Sequence, residues 1–152
     1  MTSKERVLKR EHDRGRLAAM EIQEKSPEMT GTELNTVNDR IPQFKKAVEN
    51  KNMLERKAGL TDGFVCKSSA GRVVRLIQNY DSSIYTNEPE ELPAQWCFVW
   101  SNNPEHALPF VAISTSPYMK DNVCSEDGVV YRSMIDNNVF APSAYPTGWE
   151  IC

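Results

Sequence analysis

The twelve residues Ala141-Pro-Ser-Ala-Tyr-Pro-Thr-Gly-Trp-Glu-Ile-Cys152 repeat the order of Glu88-Pro-Glu-Glu-Leu-Pro-Ala-Gln-Trp-Cys-Phe-Val99, with two prolines and a tryptophan in register. Upstream, Val65-Cys66 followed by Gly71-Arg-Val-Val-Arg75 parallels Val123-Cys124 followed by Gly128-Val-Val-Tyr-Arg132. A Val-Cys pair or a Pro-to-Pro spacing recurs easily by chance, but the whole series in one order does not. One small unit is therefore expected twice, and such a repeat governs the fold.

The local language of each copy is that of short strands. Phe64-Val-Cys-Lys67, then Ser68-Ser-Ala-Gly71, then Arg72-Val-Val-Arg-Leu-Ile77 predicts a hairpin, and Asn122-Val-Cys124 with Val129-Val-Tyr-Arg-Ser133 predicts another. Between the second pair stands Asp127-Gly128, residues that tolerate the positive φ of a tight turn. Each hairpin leads through a proline-bearing loop to a short strand holding Trp96 or Trp149. Two three-stranded antiparallel units result. Each spans only about forty residues, near the size at which a core needs a disulfide, a metal or a neighbour to hold it.

Cys66, Cys97, Cys124 and Cys152 form no Cys-x-x-Cys pair, and His12 and His106 stand at the wrong spacing for zinc. Reduced, packed thiols are expected, with no metal and no cofactor. The units must then pack on each other, on the N-terminal segment, or across an oligomer interface.

That segment differs in kind. Only Phe44 of the 13 aromatic residues lies in the first sixty, which hold 13 Lys/Arg against 10 Asp/Glu; residues 61–152 hold 5 against 11. Mixed-sign charge of this sort reads as a solvated helix surface, so no nucleic-acid partner is expected. Residues 3–24 predict a helix with a ragged stripe of Val7, Leu8, Leu17, Ala18, Met20 and Ile22 interrupted by Gly15; Ser26-Pro27 and Thr30-Gly31-Thr32 break it. A second helix is expected from Pro42, with Phe44, Ala47, Val48 and Leu54 on one face and Gly59 as its stop. The expected class is α+β: a helical attachment and oligomerisation region over 1–58, a first β module over 60–100 and a second over 108–152. No run approaches the roughly 20 apolar residues that span a bilayer, and the charged start Met1-Thr-Ser-Lys-Glu-Arg6 lacks a secretory signal, so synthesis in the cytoplasm without membrane contact is expected.

Three stretches of the second unit, Tyr118-Met-Lys-Asp-Asn-Val123, Asp127-Gly-Val-Val-Tyr131 and Phe140-Ala-Pro-Ser-Ala-Tyr-Pro-Thr-Gly-Trp149, resemble the small chitin-binding type of carbohydrate-binding module found in bacterial chitinases and in tail-associated phage proteins. Lys120 stands where the family has glycine, and Phe140 where it has an exposed tryptophan. In the first unit Asp62-Gly63 reverses the family order and Asn87 takes the place of the stacking aromatic, so that copy is expected to be structural. The longer context, from the central helix through Gly63–Cys66 and Glu88–Trp96 to the terminal module, resembles small proteins encoded among phage tail genes.

The resemblance implies a non-enzymatic, homo-oligomeric virion protein, held to other tail proteins by its N-terminal helices and meeting a cell-surface polysaccharide with its modules. Phe140 is the candidate stacking ring, with Asn137, Asn138 and Tyr145 as hydrogen-bonding neighbours. Trp100 lacks a counterpart in the second copy and is either an exposed contact or packed against Phe98 or Phe110. The alternative reading keeps the fold and gives the aromatics to protein-protein contacts in assembly. No nucleophile elbow, His-Glu-x-x-His or phosphate-cradling loop is present, and Glu88, Glu90 and Glu91 read as a solvated acidic turn.

Overall fold

The computed structural model describes residues 2–49 and 61–152. Among the described residues three α-helices, α1 (Ser3–Lys25), α2 (Gly31–Thr36) and α3 (Phe44–Glu49), precede two separate three-stranded antiparallel sheets. The first sheet comprises β1 (Val65–Lys67), β2 (Val73–Leu76) and β3 (Trp96–Phe98), and the second β4 (Val123–Glu126), β5 (Val129–Ser133) and β6 (Trp149–Ile151). The α+β layout with two tandem β modules is the one the repeat predicts.

The duplication extends to the backbone bonding. Leu76 N–H donates to the Phe64 carbonyl and Ser133 N–H to that of Asn122; Ile77 pairs with Gln95 as Met134 does with Gly148; Val99 returns to Val73 as Cys152 does to Val130. Trp96 stands opposite Leu76, and Trp149 opposite Ser133. Pro89 and Pro142 are both buried beneath their loops. The Asp127-Gly128 turn joins Glu126 to its partner Val129 with φ of 51° and 79°, as a two-residue hairpin of matching twist requires.

Side chains alternate across a strand, so each sheet presents two faces. In the first sheet both are buried. Cys66, Val74, Leu76, Trp96 and Phe98 point to one side, where Phe44 and Ala47 of α3, Phe64 and Ile113 close the core. Val65 and Val73 point to the other, against Ile22, Leu34 and Ile41. The Gln23 side chain acts there as a short strand, donating to the Val65 carbonyl at 2.7 Å and accepting from the Val65 N–H at 2.9 Å. Arg75 reaches from the central strand to the Thr61 carbonyl (2.6 Å) and the Ser26 carbonyl (3.1 Å). Burial lowers its pKa, and these carbonyls replace the water that its guanidinium loses.

The modules are joined by aromatic packing. Trp100 stacks on Phe98 (centroids 5.6 Å) and on Tyr118 (4.2 Å), and Tyr118 meets Phe110 and the edge of Trp149. Ile113 and Val111, from the chain leading into the second module, pack on the first module's core. Arg72 adds a polar tie, with one Nη on Glu90 (3.1 Å) and the other on the Pro109 carbonyl (2.6 Å).

Two helix boundaries differ from expectation. α3 starts at Phe44 rather than Pro42, because Gln43 forms a β-bridge with Lys67 and the Pro42 carbonyl accepts the Lys67 N–H. Leu54 and Gly59 lie outside the described residues. The break at Thr30-Gly31-Thr32 is also a start: Thr30 and Glu33 form a capping box for α2, and a Cβ on Gly31 would stand 2.2 Å from the Trp100 carbonyl oxygen.

Both indoles are buried among aromatic edges, Trp96 with Phe44 and Tyr80, Trp149 with Phe110 and Tyr118. Trp96→Ala and Trp149→Ala are each expected to lower unfolding free energy by roughly 3 to 5 kcal/mol in urea titrations. A loss below about 1 kcal/mol at either site would contradict their equivalence as core pins.

Candidate functional site

Asn138 organises the loop between β5 and β6. Its backbone pairs in both directions with Tyr118, its Nδ2 donates to Ser133 Oγ and the Gly148 carbonyl (both 3.1 Å), and its Oδ1 accepts the Phe140 N–H (3.3 Å). The residue is fully buried, so its place among ligand-contacting residues is corrected. It positions the site from beneath. Asn137 before it is exposed, in the left-handed region (φ 55°) that asparagine tolerates better than most residues.

Phe140 is fixed through both of its backbone polar groups, since its carbonyl also accepts the Trp149 Nε1–H at 2.8 Å. An exposed ring thus rides on a backbone tied to the module's buried indole. Phe140 is 56% exposed and Tyr145 40%, and the rings meet edge to face with centroids 5.8 Å apart. Gly148 supports Tyr145 from below: a Cβ there would lie 2.4 and 2.6 Å from two atoms of the phenol ring. The result is an apolar step with a hydroxyl at one end, held above a hydrogen-bonded base. Such a surface suits a flat, partly apolar, hydroxyl-bearing group.

Trp100 is placed elsewhere. Its ring is committed to Phe98 and Tyr118, and its Nε1–H to the Ser116 carbonyl at 2.9 Å, so it serves the joint between modules rather than a ligand. In the first module the step is missing. Asn87 donates to Glu91 (2.6 Å), and Leu92 and Gln95 take the places of Tyr145 and Gly148. Residue by residue the sequence held a signal for Gly148: the small residue occurs only in the copy that has a tyrosine three places before it.

Two of the three loop glutamates depart from a merely solvated turn. Glu90 accepts from Ser68 Oγ (2.6 Å) and Arg72, and Glu88 from the Ser69 N–H (2.7 Å), so both clamp the β1–β2 turn. Cys66 and Cys124 are buried free thiols. Burial pushes Cys66 up, with Glu88 and Glu90 adding to the effect, and raises Cys124 to about 12, with smaller effects of Glu126 and Cys152. Burial likewise raises the phenols of Tyr80 and Tyr118. Among the described residues, no cluster of His, Cys, Asp or Glu has the makings of a metal site, and no helix is long and apolar enough to cross a membrane.

Comparison with protein-family models, with curated proteins and with solved structures gives no match to this chain.

Asn138→Ala removes one of the two donors to the Gly148 carbonyl and takes the Phe140 N–H from its side-chain acceptor, so a stability loss of about 1 to 3 kcal/mol is expected in chemical denaturation. Alkaline pH should also destabilise the fold. Above about pH 8.5 the unfolded chain releases thiol protons that native Cys66 and Cys124 retain, so stability falls as pH rises toward 12. Urea midpoints measured from pH 8 to 11 should decline, and Cys124→Ala should flatten the decline.

Proposed function

We infer that this is a non-enzymatic, tail-associated virion component whose second β module holds a cell-surface glycan. The reading draws on the module resemblance and on one observation above all: Phe140 and Tyr145 project from a loop whose backbone is tied to buried Asn138 and Trp149. Rings that merely fill a core are covered, whereas these are open and pre-positioned. A pyranose presents an apolar face to an aromatic ring and hydroxyls around its rim, which Tyr145 and exposed Asn137 can meet. Pre-positioning lowers the ordering entropy that a flexible aromatic would lose on binding. The N-terminal helices serve attachment.

A second reading has its own support. Met119, Met134 and Ile135 are exposed on the loops around this step, and Met134 pairs with Gly148 directly beneath Tyr145. Apolar surroundings of this kind suit a protein partner, and assembly or decoration of the particle is the function they favour.

Binding of purified protein to bacterial cell-wall polysaccharide separates the two. Saturable binding is expected, weakened roughly tenfold or more by Phe140→Ala at unchanged thermal stability. Gly148→Ala should weaken it too, because the new methyl group displaces Tyr145. No saturable binding by the wild-type protein would reject the glycan reading. Failure to find a partner among co-purified particle proteins would reject the assembly reading.

A further inference from the structure

We propose that α1 is an exchanged arm: in a dimer of this chain, the basic, apolar-striped helix of each copy lies on the acidic end of the second β module of the other. The helix is roughly 35 Å long, yet among its described side chains burial begins only near its C-terminal end, with Ala18 and Ala19 half-buried and Ile22 and Gln23 buried. Val7 and Leu8 are 52% and 54% exposed. They stand roughly 20 Å along the axis from Ile22, and no other described residue covers them. At 100° per residue, Val7, Leu8, Gly15, Ala18 and Ile22 fall within an arc of about 100°, so the free stripe continues the face that docks at Ile22. Residues 3–20 hold six Lys/Arg against three Asp/Glu, and Lys4, Arg6, Lys9 and Arg10 flank Val7-Leu8.

The internal repeat identifies the receiving surface. Ile151 holds the position in β6 that Phe98 holds in β3, since their cross-strand partners Tyr131 and Val74 are equivalent. Phe98 is 3% exposed, packs against Trp100, and has its N–H taken by Ser116 Oγ. Ile151 is 66% exposed, and Val129 on the same face of β5 is also open. Glu126 and Asp127 stand beside Val129, giving this end a charge opposite to the arm's, while Glu150 next to Ile151 points to the other face, across from Arg132. Direct pairing of two β6 strands about Glu150 would oppose like charges, whereas a basic helix meets the same edge favourably. Two reciprocal contacts close the assembly at two copies. The proposal is independent of the glycan reading, because Phe140 and Tyr145 take no part in it.

Sedimentation over a concentration series, under reducing conditions, tests it with the full chain. The wild type should dimerise, less tightly as salt is raised. Val7→Asp with Leu8→Asp, and separately Ile151→Asp, should each weaken association by about tenfold or more at unchanged melting temperature, all three sites being exposed. An equimolar mixture of the two variants should associate where neither does alone, since one intact arm then meets one intact patch. A wild type still monomeric at about 200 µM overturns the proposal, as does a dimer indifferent to Ile151→Asp. A mixture no more associated than its parents also overturns it, for that result means the arms meet each other.

Discussion

Trp100 makes one protein out of two units that are each too small to keep a core. A forty-residue, three-stranded sheet buries little apolar surface, and small domains commonly compensate with cross-links or metals. Here the shortfall is met by sharing. The indole stacks on Phe98 from one module and Tyr118 from the other, and its N–H is satisfied by the Ser116 carbonyl. Gly31 brings α2 against the same residue's carbonyl, so the helical segment meets the sheets at the same point.

The two copies have consequently diverged in what their faces do. The first is buried on both sides, by α3 and Ile113 on one and by Ile22, Leu34 and Ile41 on the other, and its Glu88 and Glu90 clamp a turn. The second packs Tyr118, Cys124 and Trp149 on one side and leaves its loops open. The open surface therefore belongs to the copy that is not already spent on holding the molecule together.

Much of this was legible in the residues. The Pro-x-x-x-Pro-x-x-Trp series, the Val-Cys pairs and Asp127-Gly128 encode local backbone geometry, which neighbours in sequence largely determine, and they predict both three-stranded sheets; the place of the third strand beside the second is set by the fold. Phe140 and Tyr145 are legible as candidates through the resemblance, which puts Phe140 where the family has an exposed tryptophan, with Tyr145 beside it. Asn138 is not, since an asparagine in a polar loop looks the same whether its amide meets solvent or the three groups it holds here. For Trp100 the residues allow both exposure and packing, because its partners lie in separate modules. The start of α3 at Phe44 is hidden for a similar reason: a long-range bridge from Gln43 to Lys67 overrides the preference of Pro42 for a first turn.

The side-chain amide of Gln23 on Val65, and the guanidinium of Arg75 on Ser26, give the molecule a mechanical path. Tension on the helix passes through the amide into an outer strand and through the arginine into the middle strand of the first sheet. A force along the helix must therefore break several polar contacts together with the apolar seat of Ile22, instead of peeling away a single edge.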